Sequence, residues 1–168
     1  MSNNRPRIKV PYEPLDIAVD LTSVTLLLLM IVYTIMSYSE LPDIIPSHLN
    51  VKGEVDGHSE KSFLWVLPGL GLIMFLGLSY LNKFPHIHNY MVNITEENAL
   101  KNYRFSTRIL RFTNLFVVLV FACIAYFTIQ TAKGHATSIG TWFVPTIIGL
   151  SIILPILVLI YSRKINKS

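Results

Sequence analysis

The sequence is short of charge and nearly empty of cysteine. Only 14% of its 168 residues are Asp, Glu, Lys or Arg, against about 25% in soluble globular proteins. Together with 52% hydrophobic residues and a mean hydropathy of +0.50, that deficit excludes an ordinary soluble domain. The one cysteine, Cys123, rules out an intrachain disulfide and leaves a Cys-based zinc site without a second thiol. It reads as a small packing residue. There is no HExxH pair, no phosphate-binding glycine loop and no serine-nucleophile motif. No acidic or basic residue lies deep within an apolar run, where ionisable groups usually mark ion or proton paths, and this argues against a coupled transporter.

What the sequence has is four apolar runs, 17–38, 63–81, 112–131 and 142–161. Each is close to the roughly 20 residues that a helix needs to cross a hydrocarbon core about 30 Å thick. Backbone groups in lipid must be satisfied internally, and the apolar character is continuous instead of alternating, so the runs read as helices and not barrel strands. The expected fold is all-α and integral to the membrane: a polar arm over 1–13 and a single four-helix domain over 14–168. The first run is too long for a signal-peptide core and has Glu13, Asp16 and Asp20 clustered at its start, so it is expected to persist in the mature protein.

Lys and Arg distribute unevenly. The arm, the second connection and the C-terminal tail carry 11 of them, and the first and third connections carry 3. The positive-inside rule then puts both termini and the second connection in the cytoplasm, as an even number of spans also requires. The basic balance is matched to anionic lipid headgroups and not to nucleic acid. The first connection, 39–62, falls outside with a net charge of −3.

The second connection is too long for a turn. Thr95 followed by Glu96 and Glu97 reads as an N-cap with carboxylates in the first helical turn. Lys101, Arg104, Arg108 and Arg111 then recur within one quadrant of a cytoplasmic amphipathic helix at about 96–111, which can continue into the third span. Two partners suit these cations: lipid phosphates, reached by snorkelling, or Asp16 and Asp20, which share a face at the start of the first helix. Pro68 and Pro155 are expected to kink their helices, and Gly69, Gly71, Gly77 and Gly149 to permit close helix approach. His86 and His88 read as interfacial polar residues, since a metal would find only two ligands there.

The external loop holds the specific signal. Pro42 and Pro46 favour extended backbone before them, which would turn His48 and Asn50 to one side, while Gly53 and Gly57 suit turns. This predicts a structured cap. Three readings of Pro42, Pro46, His48, Asn50, Gly53, Asp56 and Lys61 compete. One is a structural network in which His48 and Asn50 bond loop backbone and Asp56 accepts from Lys61 or a turn N–H. Another is a surface for an extracytoplasmic peptide or lipid group. The third is a metallohydrolase site in which His48, Asp56 and His58, with Glu54 or Glu60, hold zinc and a carboxylate acts as general base.

The pattern Leu41-Pro42-x-x-Ile45-Pro46-x-His48-x-Asn50-x-x-Gly53-Glu54-x-Asp56-Gly57, followed by Lys61, resembles the signature of an uncharacterised bacterial membrane domain. That domain also forms the N-terminal part of the sporulation delaying protein immunity proteins, the SdpI-like family. Asn93-Ile94-Thr95-Glu96-Glu97-Asn98-Ala99-x-x-x-Tyr103 is similar to a second segment of that family, so the likeness covers about 20–130. It implies a bacterial plasma-membrane protein, with relatives that confer immunity to a secreted peptide toxin and relay its presence to a cytoplasmic repressor. Those relatives continue into a further hydrophobic region that these 168 residues do not include. The expectation is a non-enzymatic multi-pass protein without cofactor, partnered by the bilayer and by an extracytoplasmic peptide or a membrane protein. The alternatives are the loop metallohydrolase and an accessory subunit of a larger membrane complex.

Overall fold

A computed structural model describes residues 5–167; the first four residues of the predicted arm and Ser168 lie outside it. In chain order come α1 (Pro14–Tyr38), β1 (Ile44–Leu49), β2 (Val55–Glu60), a 3-10 turn (Lys61–Trp65), α2 (Val66–Leu81), a second 3-10 turn (Pro85–Ile87), α3 (Glu96–Ala132) and α4 (Phe143–Ile165). Among the described residues four helical segments are long and apolar enough to cross a membrane. The chain is a mostly helical membrane protein. The all-α expectation misses one element, the antiparallel hairpin of β1 and β2 inside the first connection.

Local chemistry sets the helix starts. Pro14 opens α1 where its missing N–H is harmless, and the Glu13 N–H donates to Asp16 Oδ2 at 3.0 Å. Thr95 caps α3, and its N–H donates to Asn98 Oδ1 at 3.0 Å. At 37 residues α3 is one unbroken helix, roughly 55 Å long at about 1.5 Å per residue. That length exceeds the roughly 30 Å of a hydrocarbon core. Pro68 falls in the first turn of α2, which begins at Val66, a position where its missing N–H loses no bond within the helix. Pro155 does lie inside α4. Of the four helix glycines only Gly71 makes a close approach, a Cβ there lying 3.0 Å from Met30 Cε.

The core is a sandwich of α1 and α3 with α2 against them. Val19, Ser23, Leu27, Met30, Thr34 and Ser37 repeat at three- and four-residue steps along the buried face of α1. Leu27 and Met30 meet Val118 and Ala125 in the middle of the bundle. Beneath the hairpin, Leu41, Ile45, Leu64 and Ile129 form a second cluster. At the opposite end, where the described termini lie, Ile94, Ala99 and Tyr103 form a third. The fourth helix stands apart, with Phe143 its one buried residue.

Candidate functional site

The hairpin end is built from the motif residues. Ile44 pairs with Glu60, Ile45 with Ser59, Pro46 with His58, His48 with Gly57 and Leu49 with Val55, and the register slips on both sides of His48. Ile45 and Pro46 are buried, while Pro42 is exposed ahead of the strand. Gly57 is therefore a strand residue and not the expected turn. A Cβ there would lie 2.9 Å from His48 Cβ, so this close pairing requires glycine.

The side chains of the motif satisfy one another. His48 Nδ1 and Asp56 Oδ1 are 2.5 Å apart on the exposed face. Asn50 organises the tip: its Oδ1 accepts from the N–H groups of Lys52 (2.8 Å) and Glu54 (3.1 Å), and its Nδ2 donates to Glu54 Oε2 at 2.9 Å. His48 and Asn50 thus point to different partners and do not converge. Lys61 Nζ reaches Asp43 Oδ1 at 3.0 Å and leaves Asp56 to His48, against the expected pairing of Asp56 with Lys61 or a turn N–H. His58 is exposed, and among the described residues no three of His, Cys, Asp and Glu gather as a metal would need.

The connection between α3 and α4 braces this hairpin, which the sequence pattern did not reveal. Gly53 turns at φ +75°, and its carbonyl accepts from the Ile139 N–H at 3.1 Å. Lys133 donates to Glu40 Oε2 at 2.6 Å and holds that carboxyl below its ordinary pKa, chiefly through the hydrogen bond and then through its charge. At the hairpin base Tyr38, Asp43, Ile44, Glu60, Lys61 and Ser62 line a hollow of about 380 Å³.

The other end holds an ion network. Arg104 meets Glu13 at 3.1 Å, Arg108 meets Glu13 at 2.7 Å and Asp16 at 3.1 Å, and Arg111 meets Asp20 at 3.0 Å and Asp16 at 3.9 Å. These three guanidiniums face the carboxylates of α1 and its cap, the second of the two partners considered above. Glu13, left out of that expected pairing, takes two of them. Lys101 does not join; its ammonium donates to the Ile165 carbonyl at 2.9 Å. Beside it Asn102 and Asn166 exchange two amide hydrogen bonds.

The polar arm is pinned here as well. Arg5 donates to the carbonyls of His86 and His88 at 3.1 and 2.6 Å, and Tyr103 Oη donates to the Pro6 carbonyl at 2.9 Å. His88 is buried within the fold. Its Nδ1 lies 2.6 Å from Ser106 Oγ and its Nε2 lies 3.1 Å from the Leu81 carbonyl, so neither nitrogen is free for a metal. Burial disfavours the imidazolium and lowers the His88 pKa below 6.5. The neighbouring Tyr90 phenol, also buried, is pushed up to about 12. Because His88 titrates lower folded than unfolded, its contribution is complete above pH 6.5 and declines as pH falls below that value. Between pH 7.5 and 5.0 the wild type should therefore lose more thermal stability than His88→Gln. Equal losses in the two melting series would refute this.

One buried polar residue inside a span escapes a hydropathy reading. Asn114 Nδ2 reaches the Phe75 carbonyl and Ser79 Oγ, both at 3.2 Å, and ties α3 to α2. Its spacing of three from Arg111 places it on the same face and is the signal that could have exposed it.

Residues 25–72 match a domain of unknown function, DUF1648. The matched stretch runs from α1 through the hairpin into α2 and contains the Pro42–Lys61 motif. No curated protein and no solved structure matches the chain.

Proposed function

We propose that the chain is a non-enzymatic, multi-pass protein of the bacterial plasma membrane that engages an extracytoplasmic peptide at its hairpin end. Both termini are cytoplasmic in this reading, on the strength of the 11 to 3 division of Lys and Arg. The resemblance to SdpI-like immunity proteins gives the peptide its class. The observation that carries the reading is the hollow beside the hairpin. Glu60 supplies a carboxylate with no cationic partner among the described residues, Asp43 being held by Lys61, while Tyr38 and Ile44 supply apolar surface, and Ile44 is 56% exposed. An acidic and apolar lining suits a cationic amphipathic peptide, and the internally paired hairpin would present it with little ordering cost.

Cells expressing the protein should tolerate a higher dose of a membrane-active cationic peptide than cells without it. Ile44→Arg combined with Glu60→Lys should abolish that gain at unchanged protein level. A protective effect indifferent to these substitutions would sink the proposal. An impermeant maleimide should label a cysteine at Val51 but not one at Lys167 in intact cells, and the reverse pattern would overturn the orientation.

A second reading has support in the same geometry. The mutual pairing of His48 with Asp56, Asn50 with Glu54 and Lys61 with Asp43 also suits a purely structural cap on an accessory subunit. Mild crosslinking followed by purification should then recover one constant membrane partner.

A further inference from the structure

The fourth helix is held at its ends and open in its middle. At one end Phe143 is buried; at the other the Asn102–Asn166 pair, the Lys101 bond to Ile165 and the contact of Phe105 with Tyr161, ring centroids 5.1 Å apart, hold it to α3. Between them α3 and α4 part around a groove of about 530 Å³, well within the range of small-molecule sites. Phe105, Phe112 and Phe116 on α3 and Leu154 and Val158 on α4 form its walls, and Arg108 stands among the lining residues toward the end where the termini lie.

Length and charge identify what fits. From Phe105 to Phe116 the groove follows α3 for roughly 17 Å at about 1.5 Å per residue, close to the roughly 15 Å depth of one leaflet. Past its polar end Lys101 donates to the Ile165 carbonyl, and Arg163 and Lys164 stand in the same last turn of α4; none of the three has a carboxylate partner among the described residues. The neighbouring Arg104, Arg108 and Arg111 differ, being neutralised by Glu13, Asp16 and Asp20. The uncompensated charge therefore lies at the groove's headgroup end. We infer that the groove between α3 and α4 binds one acyl chain of an anionic phospholipid whose headgroup rests against Lys101, Arg163 and Lys164. A partner helix would meet the same apolar wall but would gain nothing from cations at one end alone. A zwitterionic lipid would fill the groove but would lack the charge match.

The inference requires that the chain be membrane-embedded and is independent of what the hairpin binds. Full-length protein in mild detergent is equilibrated with phosphatidylglycerol or with phosphatidylcholine of identical chains, and bound lipid is counted by native mass spectrometry. One phosphatidylglycerol per chain should be retained in preference to phosphatidylcholine. Arg163→Gln with Lys164→Gln should cut that preference roughly thirtyfold, the equivalent of about 1 kcal/mol for each cation. Ser151→Phe and, separately, Thr113→Phe fill the groove from opposite walls, and each should displace the lipid from a protein of unchanged melting temperature. Equal retention of the two lipids, retention unaffected by both filling variants, or a lipid-free dimer covering the groove would each overturn the assignment.

Discussion

Asp16→Ala is expected to cost about 3 kcal/mol of stability, toward the low end of the 3–5 kcal/mol typical for removing one member of a buried ion pair. Asp16 is only 2% exposed. Its carboxylate accepts from Arg108 Nε at 3.1 Å and from the Glu13 N–H at 3.0 Å, with Arg111 at 3.9 Å. Alanine would leave the part-buried Arg108 guanidinium and the first turn of α1 without this acceptor. The low end applies because Arg108 retains Glu13 and Arg111 retains Asp20. Thermal unfolding in a nanodisc checks the size. A double-mutant cycle with Arg108→Ala should show a coupling above about 1 kcal/mol, since residues in one ion network are not additive. The effect should also survive high salt, which screens exposed pairs far more than buried ones. A cost of a few tenths that disappears with salt would reduce the network to surface decoration.

Gly53→Ala should be the most damaging change of a single methyl group. The backbone at Gly53 has φ +75°, a conformation that costs an L-residue roughly 1–2 kcal/mol. The added Cβ would also lie 2.7 Å from the Gly140 carbonyl oxygen and 3.0 Å from Ile139 Cγ2. The hairpin tip would have to withdraw, losing the bond from the Ile139 N–H to the Gly53 carbonyl, itself about 0.5–1.5 kcal/mol. A total near 2–4 kcal/mol is expected, with hydrogen exchange accelerated at the Ile139 amide. Gly57→Ala is the control. It carries no left-handed penalty, and its Cβ meets only the His48 side chain and backbone, so it should disturb the His48–Asp56 contact while sparing the Ile139 amide. Unchanged exchange at Ile139 in Gly53→Ala would show that the two connections are not coupled.

Long apolar runs are legible because hydrocarbon permits so few backbone solutions, and caps such as Pro14 and Thr95 are legible because they act on their own helix termini. The hairpin was only partly legible. Pro42, Pro46 and Gly53 announce an ordered loop, but the pairing of His48 with Gly57 depends on a register slip that no periodicity encodes. That Asp56 meets His48 instead of the expected Lys61 or turn N–H is unreadable for the same reason: several partners lie within loop distance, and strand pairing brings only His48 across.

By itself the sequence determined that this chain carries four helices long and apolar enough to cross a membrane, because a deficit of charge spread over four long apolar runs suits no other solvent. It also determined that Lys101, Arg104, Arg108 and Arg111 share a helix face, since spacing along one helix is a local property. Only the tertiary structure decided what that face meets. Arg104, Arg108 and Arg111 turn to Glu13, Asp16 and Asp20 across more than 90 residues of chain, and Lys101 turns instead to the end of α4. The bracing of Gly53 by Ile139 and the open groove beside α4 belong to the same class. Each arises from how separately formed elements are set against one another, and pairwise geometry of that kind leaves no mark on either element's own sequence.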